Sequence, residues 1–543
     1  MNASKRAGRS GIILVIGAIG VVATAVGCSS DDDSSGAAGK GGEAGEASGG
    51  KGATGGAGDS GGSAGETPLV EAGTGGTVAG DAAGAAGSVD LPFSAHLSSD
   101  ATPATFAITV GGHDRFYGVT FDADNDIYAV GVTSSDITAA ADYSTVVAKF
   151  SPEGVLDKTF GKDGYAIRNV AVGLAGEFAR GIGVQSSGKI VVSEMVEHAG
   201  ATDPRDRDLA LLRFNADGSK DATFGKDGVQ ILDLSDGVLI PASATAKETY
   251  LADSAWGFAL YPDDRIVVEG GRVAASHTDT DFAIVRLSKD GVADETFGTH
   301  GVFALDTKFN GASNNASPRN LTLLPGTQGI IGAGYQPIPP ADTKPCVFKV
   351  TDKGVLDKTF GVDGVFQETV FTEQTETYAA VPQSDGKLVT AGYARELSTD
   401  TTDILSLRLN ADGTLDKSYG TNGAVKVDIG GFADNARRIL TLPNDHIVIV
   451  GGGRATAADV DGVVLALTPD GKPETAFSVK GFQTYDFGGP ADFIWSLALA
   501  PSQTRIALVG IKSGVAAVAA TGSTPATPAT DDDAALMVMK LVP

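Results

Sequence analysis

Two kinds of residue recur along the chain at positions that could bind rather than merely fold. An aromatic residue or an arginine stands at Tyr117, Arg180, Trp256, Arg319, Tyr378, Arg437 and Trp495. Three residues before five of these comes an acid: Asp114, Glu177, Asp253, Asp434 and Asp492. Tyrosine and tryptophan offer flat amphipathic surfaces, and a guanidinium binds carboxylates in a fixed fork. A convergent set of carboxylates can hold a cation, with calcium the candidate. The competing reading is structural: arginines and acids pair within or between repeats, and the aromatics pack the ends of the sheets.

The other chemical signals are weaker. Six histidines are scattered, with no paired metal-ligand spacing. The string GDSGG at 58–62 matches a nucleophile pattern, but no strand precedes it and no helix follows to orient a base. In the run from Asp203 to Asp208, arginines interleave with the acids and argue against calcium. Asp122, Asp124 and Asp126 fall in a turn, where capping suffices. No catalytic residue is assigned, and no cofactor is expected. The net charge of −26 repels a phosphate backbone and excludes nucleic acid as a partner. Of two cysteines, Cys346 lies in an apolar strand-like run and Cys28 near the N-terminus, so no internal disulfide framework is expected.

The N-terminus reads as an address. Lys5, Arg6 and Arg9 precede the apolar run 11–26, as in a secretory signal. The run ends Ala25-Val26-Gly27-Cys28, which resembles the bacterial lipobox; Ala25 departs from the larger aliphatic residue usual there. The resemblance implies cleavage before Cys28 and lipidation of its thiol. Residues 1–27 are thus expected to be a lipoprotein signal peptide and 28–91 a disordered Gly/Ala/Ser-rich tether. Such a composition cannot bury enough apolar surface to offset its ordering entropy. Glycine recurs at every third position from Gly36 to Gly45, but the register breaks at Ser48, which argues against a triple helix. An exported chain, lipid-anchored to the cell envelope at the outer membrane or cell surface, follows from this reading.

Residues 92–543 must position the recurring side chains, and they are repetitive. A 15-residue motif appears six times: FSPEGVLDKTFGKDG (150–164), FNADGSKDATFGKDG (214–228), LSKDGVADETFGTHG (287–301), VTDKGVLDKTFGVDG (350–364), LNADGTLDKSYGTNG (409–423) and LTPDGKPETAFSVKG (467–481). A second motif, strand–turn–strand, appears seven times, as in GIGVQSSGKIVVSE (181–194). Each unit therefore reads as four short strands joined by Gly/Asp/Asn turns. In the second unit they are expected at 181–185, 189–194, 209–214 and about 228–234. Four-stranded units repeating at this length stack radially into a β-propeller. The fold class is all-β, a seven-bladed β-propeller with N-to-C strand closure. A lone fourth-type strand at 105–110 would complete the last blade, whose own strands end at 535–541.

The pattern D-G-x-L-D-x-x-F-G-x-x-G with an upstream D-G-K-I-V-V resembles the delta-60 repeat family over about residues 104–541. That resemblance implies a propeller-like array in a secreted or surface protein and brings no catalytic residues. The sixth copy departs, with Glu474 and Ser478 in place of aspartate and glycine. The loops that vary in length (197–207, 235–254, 335–345 and 512–534) should share one face, away from the tether, with the seven ring residues at that end of the channel. Variable loops on a rigid scaffold are the usual place for binding. The expected function is a monomeric envelope lipoprotein, not an enzyme, whose propeller binds an unidentified protein, peptide or glycan. The alternative is a metal-assisted hydrolase or lactonase-like propeller enzyme with a cation at the channel mouth.

Overall fold

The computed structural model describes residues 95–109, 111–135, 142–171, 177–201, 203, 205–242, 248–273, 279–338, 342–457, 459–515 and 530–542. The expected signal peptide (1–27), the lipidated Cys28 and the tether (28–91) lie outside the described residues. Among the described residues every regular element is a strand, and no helix is long and apolar enough to cross a membrane.

The repeating element is an antiparallel meander. In one repeat Phe178–Val184 pairs with Ile190–Glu197, that strand with Arg207–Phe214, and that in turn with Val229–Leu232. Equivalent meanders begin at Asp114–Phe121, Gly257–Leu260, Ser317–Leu323, Gln374–Pro382 and Asn435–Thr441. Those beginning at Ser317 and Gln374 merge into one eight-stranded sheet through a single parallel pair, Thr343 with Gln374. The last repeat supplies Phe493–Leu499, Arg505–Lys512 and Asp533–Val542. Ala104–Phe106 takes the place of its fourth strand, Ala104 lying opposite Leu536. Farther along the same partner, His96–Leu97 pairs with Val542 and Leu541, an addition the sequence did not suggest.

The continuous apolar runs are explained by burial on both faces. Side chains alternate along a strand. Ile190 and Val192 pack with Val130 and Val147 of the preceding repeat, whereas Val191 packs with Ile266 and Val268 of the following one. The first and last repeats share a core in the same way: Phe116, Val146 and Phe150 pack with Ala507, Val509 and Leu536.

The 15-residue motif is a clamp between neighbouring repeats. In the second copy Asp221 caps its own turn, its Oδ1 accepting from Thr223 N at 3.1 Å and Thr223 Oγ1 at 2.6 Å. Its Oδ2 accepts from Arg213 Nε at 2.7 Å and Lys189 Nζ at 2.8 Å. The cap aims Phe224 into the core, where it is fully buried against the next copy's Gly291. A Cβ at Gly291 would lie 2.6 Å from the Phe224 ring, and the residue has φ +78°, so glycine is required twice over. Phe160, Phe297, Phe360 and Tyr419 face Gly218, Gly354, Gly413 and Gly471 in the same way. A backbone bond backs the contact, as in Gly361 N to Asp412 O at 2.7 Å. In the divergent sixth copy His446 Nδ1 meets Glu474 at 2.6 Å, and Ser478 Oγ donates to Phe482 O at 2.7 Å.

Candidate functional site

Each first strand carries a β-bulge near its start, and the extra residue is the recurring aromatic or arginine. The register slips between Phe116 and Gly118, Ala179 and Gly181, Pro318 and Asn320, Thr377 and Ala379, Ala436 and Arg438, and Ile494 and Ser496. The residues skipped are Tyr117, Arg180, Arg319, Tyr378, Arg437 and Trp495. In the third repeat Trp256 N donates to Glu269 O while Gly257 pairs with Glu269, the same two-against-one arrangement. A bulge re-aims the side chain it adds. Here it turns seven side chains from seven strands toward one another.

They form an alternating ring. The Arg180 guanidinium lies 3.9 Å from the Trp256 ring centroid and 5.4 Å from that of Tyr117. Arg319 lies 4.4 Å from Trp256 and 4.8 Å from Tyr378. Arg437 lies 4.4 Å from Tyr378 and 5.1 Å from Trp495. Trp495 and Tyr117 meet edge to face, centroids 5.3 Å apart. Each cation–π contact is worth about 0.5–2 kcal/mol, more where water is excluded. Arg319 and Tyr378 are buried, whereas Arg180, Trp256, Arg437 and Trp495 keep partial access to solvent.

A residue not expected from the sequence completes the site. Arg438, next after the bulge, also enters the channel, its Nη2 3.4 Å from Trp256 O on another repeat and its Nη1 3.2 Å from Arg437 O. The corresponding residues elsewhere are mostly small: Gly118, Gly181, Asn320, Ala379 and Ser496. Burial, then the charges of Arg180 and Arg437, lower the Arg438 pKa to about 10.

A protein-family model described as "Domain of unknown function (DUF5122) beta-propeller" matches residues 185–224, 262–297 and 383–419. The fold is a β-propeller. Solved structures similar to the chain include Sqt1 from Chaetomium thermophilum, at 10% identity and TM-score 0.39, covering 82% of this chain and 100% of that one. The polysaccharide lyase Uly1 is similar at 8% identity and TM-score 0.45, covering 80% and 91%. The propeller domain of the Trilobed protease from Pyrococcus furiosus is similar at 7% identity and TM-score 0.36, covering 75% and 91%. No curated protein matches the chain.

The five propeller acids turn away from the ring, into the loop before each first strand. Asp114 Oδ2 accepts from Ile108 N at 2.6 Å and Thr109 N at 2.9 Å. Glu177 accepts from Val170 N and Ala171 N, Asp253 from Leu234 N and Ser235 N, Asp434 from Ile429 N, and Asp492 from Phe487 N and Gly489 N. Among the described residues none of the five pairs with an arginine, so their structural role is to fasten loop backbone. Burial raises Asp114, Asp434 and Asp492 to about 6, and Glu177 and Asp253 to about 7.

Two groups have donors within 4.8 Å of one another and could hold a cation: Asp403, Asp428 and Asp434, and His198, Asp208 and Asp233. Asp208 and Asp403 occupy the same place, five residues before Arg213 and Arg408 on their third strands. Each group has internal competition for its donors. Lys426 Nζ lies 2.9 Å from Asp403, and His198 Nδ1 lies 2.9 Å from Asp208. In the loop that follows His198, Arg205 forks onto Asp203 at 2.7 and 2.9 Å, a local ion pair. Asp122 caps its turn, Oδ1 accepting from Asp124 N and Asp126 N.

Proposed function

We propose that the chain is an exported lipoprotein, anchored through Cys28, that displays a seven-bladed propeller as a non-catalytic binding module. On this reading the N-terminal strand Ala104–Phe106 closes the ring of blades, and the tether holds the channel mouth away from the membrane. The ligand is a protein, peptide or glycan that docks over the mouth. The observation carrying this reading is the ring of three arginines and four aromatics, turned inward by bulges and open in part to solvent. Its cations and flat faces suit a ligand that presents both anionic and apolar surface.

Both tryptophans of the chain, Trp256 and Trp495, sit in the ring. Intrinsic fluorescence therefore reports on the site. The test is a titration of the full chain with acidic and neutral polysaccharides and acidic peptides, repeated on Arg180→Ala and Arg437→Ala. Saturable emission changes lost in both variants would support the reading. Ligands found to bind without any effect of these substitutions would refute it. Radiolabelled palmitate incorporation that Cys28→Ser does not abolish would refute the anchor.

A second reading, a metal-assisted hydrolase or lactonase-like enzyme, draws on the clustered donors at Asp403, Asp428 and Asp434 and at His198, Asp208 and Asp233. It expects the melting temperature to rise when calcium or magnesium is restored after chelation, because a ligand stabilises the state it binds. An unchanged melting curve would eliminate it.

A further inference from the structure

The second repeat departs from its neighbours at two positions, and the two departures meet. On the second strand, opposite the residue before the bulge, six repeats carry glycine: Gly131, Gly270, Gly334, Gly392, Gly451 and Gly510. A Cβ on any of them would lie 1.6–2.1 Å from the carbonyl oxygen of the residue two before the bulge, so no side chain fits. The second repeat has Glu194 there, opposite Ala179. The acid three residues before its ring residue is likewise altered: Glu177 is one methylene longer than Asp114, Asp253, Asp434 and Asp492. The two acids bracket Ala179, Glu177 from two residues before it and Glu194 from across the strand pair, and the next residue is Arg180 of the ring.

Both side chains are fully buried. Glu177 Oε1 accepts from Val170 N at 2.6 Å and Ala171 N at 2.5 Å, and Glu194 Oε2 accepts from Thr145 Oγ1. The second oxygen of each, Glu177 Oε2 and Glu194 Oε1, is buried with no hydrogen-bond donor among the described residues. Two charged groups act on the pair from the preceding repeat: Asp142 opposes ionisation of Glu177, and Arg168 favours that of Glu194. On the following strand Arg207 stacks on Phe178 and acts on Glu197. Burial raises both acids, Glu177 to about 7, and the charge of Glu177 raises Glu194 further. A buried oxygen without a donor is costly, and two like charges sharing a poorly solvated place cannot both persist. A water would supply donors but leave the charges. A single proton answers both, since it removes one charge and donates from one carboxyl to the other.

We infer that Glu177 and Glu194 share one proton, and that this proton fastens the bulge presenting Arg180, so that its loss loosens Arg180 within the ring. The second repeat thus carries a pH-sensitive acid pair that the six glycines exclude elsewhere. The pair acts on the ring whether or not a ligand is docked there.

Tryptophan emission supplies the test, because the Arg180 guanidinium lies 3.9 Å from the Trp256 ring centroid and 5.9 Å from that of Trp495, the two tryptophans of the chain. The full chain is titrated in an Asp253→Asn background, which silences the acid three residues before Trp256. Emission is expected to follow a one-proton transition with its midpoint at about pH 7. Glu194→Gln, whose amide supplies the donor at every pH, should abolish the transition and hold emission at its acid-side value. Glu194→Gly, the residue of the six other repeats, should move the midpoint to lower pH by about one unit or more. A midpoint that neither variant moves, or an emission without any such transition, would overturn the inference. Should Asp253→Asn fail to fold, the difference between the unsubstituted chain and its Glu194→Gln variant over the same range decides.

Discussion

The clamp between repeats can be tested at one contact, Phe224 against Gly291. Gly291→Ala imposes two separable costs. Its φ of +78° is left-handed, which costs an alanine about 1–2 kcal/mol. Its new methyl would sit 2.6 and 2.7 Å from Phe224 ring carbons, and forcing an extra methyl into a packed core costs about 1–3 kcal/mol. Gly188 isolates the first cost. Its φ is also +78°, but a Cβ there meets only Ala216 Cβ, at 3.4 Å. Gly188→Ala should therefore cost about 1–2 kcal/mol and Gly291→Ala about 2–5 kcal/mol. Phe224→Ala removes a fully buried ring, at about 3–5 kcal/mol. In the double variant the methyl of Ala at 291 enters the space the ring vacated. The two losses should then fall short of their sum by about 1–3 kcal/mol, the overpacking part. Guanidinium unfolding of the four variants, followed by tryptophan emission and far-UV circular dichroism, supplies the comparison. Equal costs at Gly188 and Gly291, or an additive double variant, would refute the clamp.

Stability should depend on pH in an unusual direction. Folding raises the pKa of Asp114, Glu177, Asp253, Asp434 and Asp492 to about 6 or 7. The native state therefore binds more protons than the unfolded chain between about pH 4 and 7. The stability these groups contribute is fully present below their unfolded pKa values and is lost as pH rises through 6 to 7. Asp221, Asp416 and Asp532 are shifted the opposite way: burial would raise them, but hydrogen bonds outweigh it, led by Lys189 and Thr223 at Asp221, by Ser418 at Asp416 and by His113 at Asp532, and their contribution is lost only below about pH 4. Melting temperature should thus rise from pH 8 toward pH 5 and fall again in stronger acid, and Asp253→Asn should flatten the upper limb. A melting temperature that climbs from pH 5 to 8 would contradict this. Separately, Cys346 is fully buried, and burial pushes its thiol well above the ordinary range. It should resist iodoacetamide in the native protein and label stoichiometrically in denaturant; rapid native labelling would show that the strand carrying it opens.

The ring could be read from the sequence because a bulge adds one residue at a fixed place in every repeat. Tyr117, Arg180 and the others therefore fall at a constant offset from the strand that follows. Arg438 could not be read in this way. Adjacent residues of a regular strand point to opposite faces, and only the bulge at Arg437 lets both enter the channel. The column of acids was equally visible, but its partners were not. Asp253 reaches back 19 residues to Leu234 N, whereas Asp492 reaches back 5 residues to Phe487 N. Loops of unequal length hide a shared hydrogen-bond pattern from any search at fixed spacing. The motif's aspartate had a legible turn role, and its second oxygen had an illegible one. Its partner comes from other strands and changes from copy to copy, the cations Arg213 and Lys189 for Asp221 but the imidazole of His446 for Glu474.

The composition of the ring follows from parity. An arginine gains most when flanked by two aromatic faces and loses when beside another guanidinium. Alternation is therefore the favoured pattern, as at Arg180, Arg319 and Arg437. Seven residues around a circle cannot alternate throughout, so one junction must join two of a kind. Two arginines there would add a repulsion in a poorly solvated place. Two aromatics attract, and their edge-to-face meeting is worth about 0.5–1.5 kcal/mol beyond the area it buries. The like pair is Tyr117 with Trp495, and it falls where the first repeat meets the last. That seam is also where Ala104–Phe106 and His96–Leu97 pair with the C-terminal strand. The one junction that cannot hold a cation–π pair thus coincides with the one joined by strands from both ends of the chain. Arg438 fits the same logic: with three ring cations already stacked on the aromatic faces, the fourth guanidinium bonds to backbone carbonyls instead, those of Arg437 and Trp256.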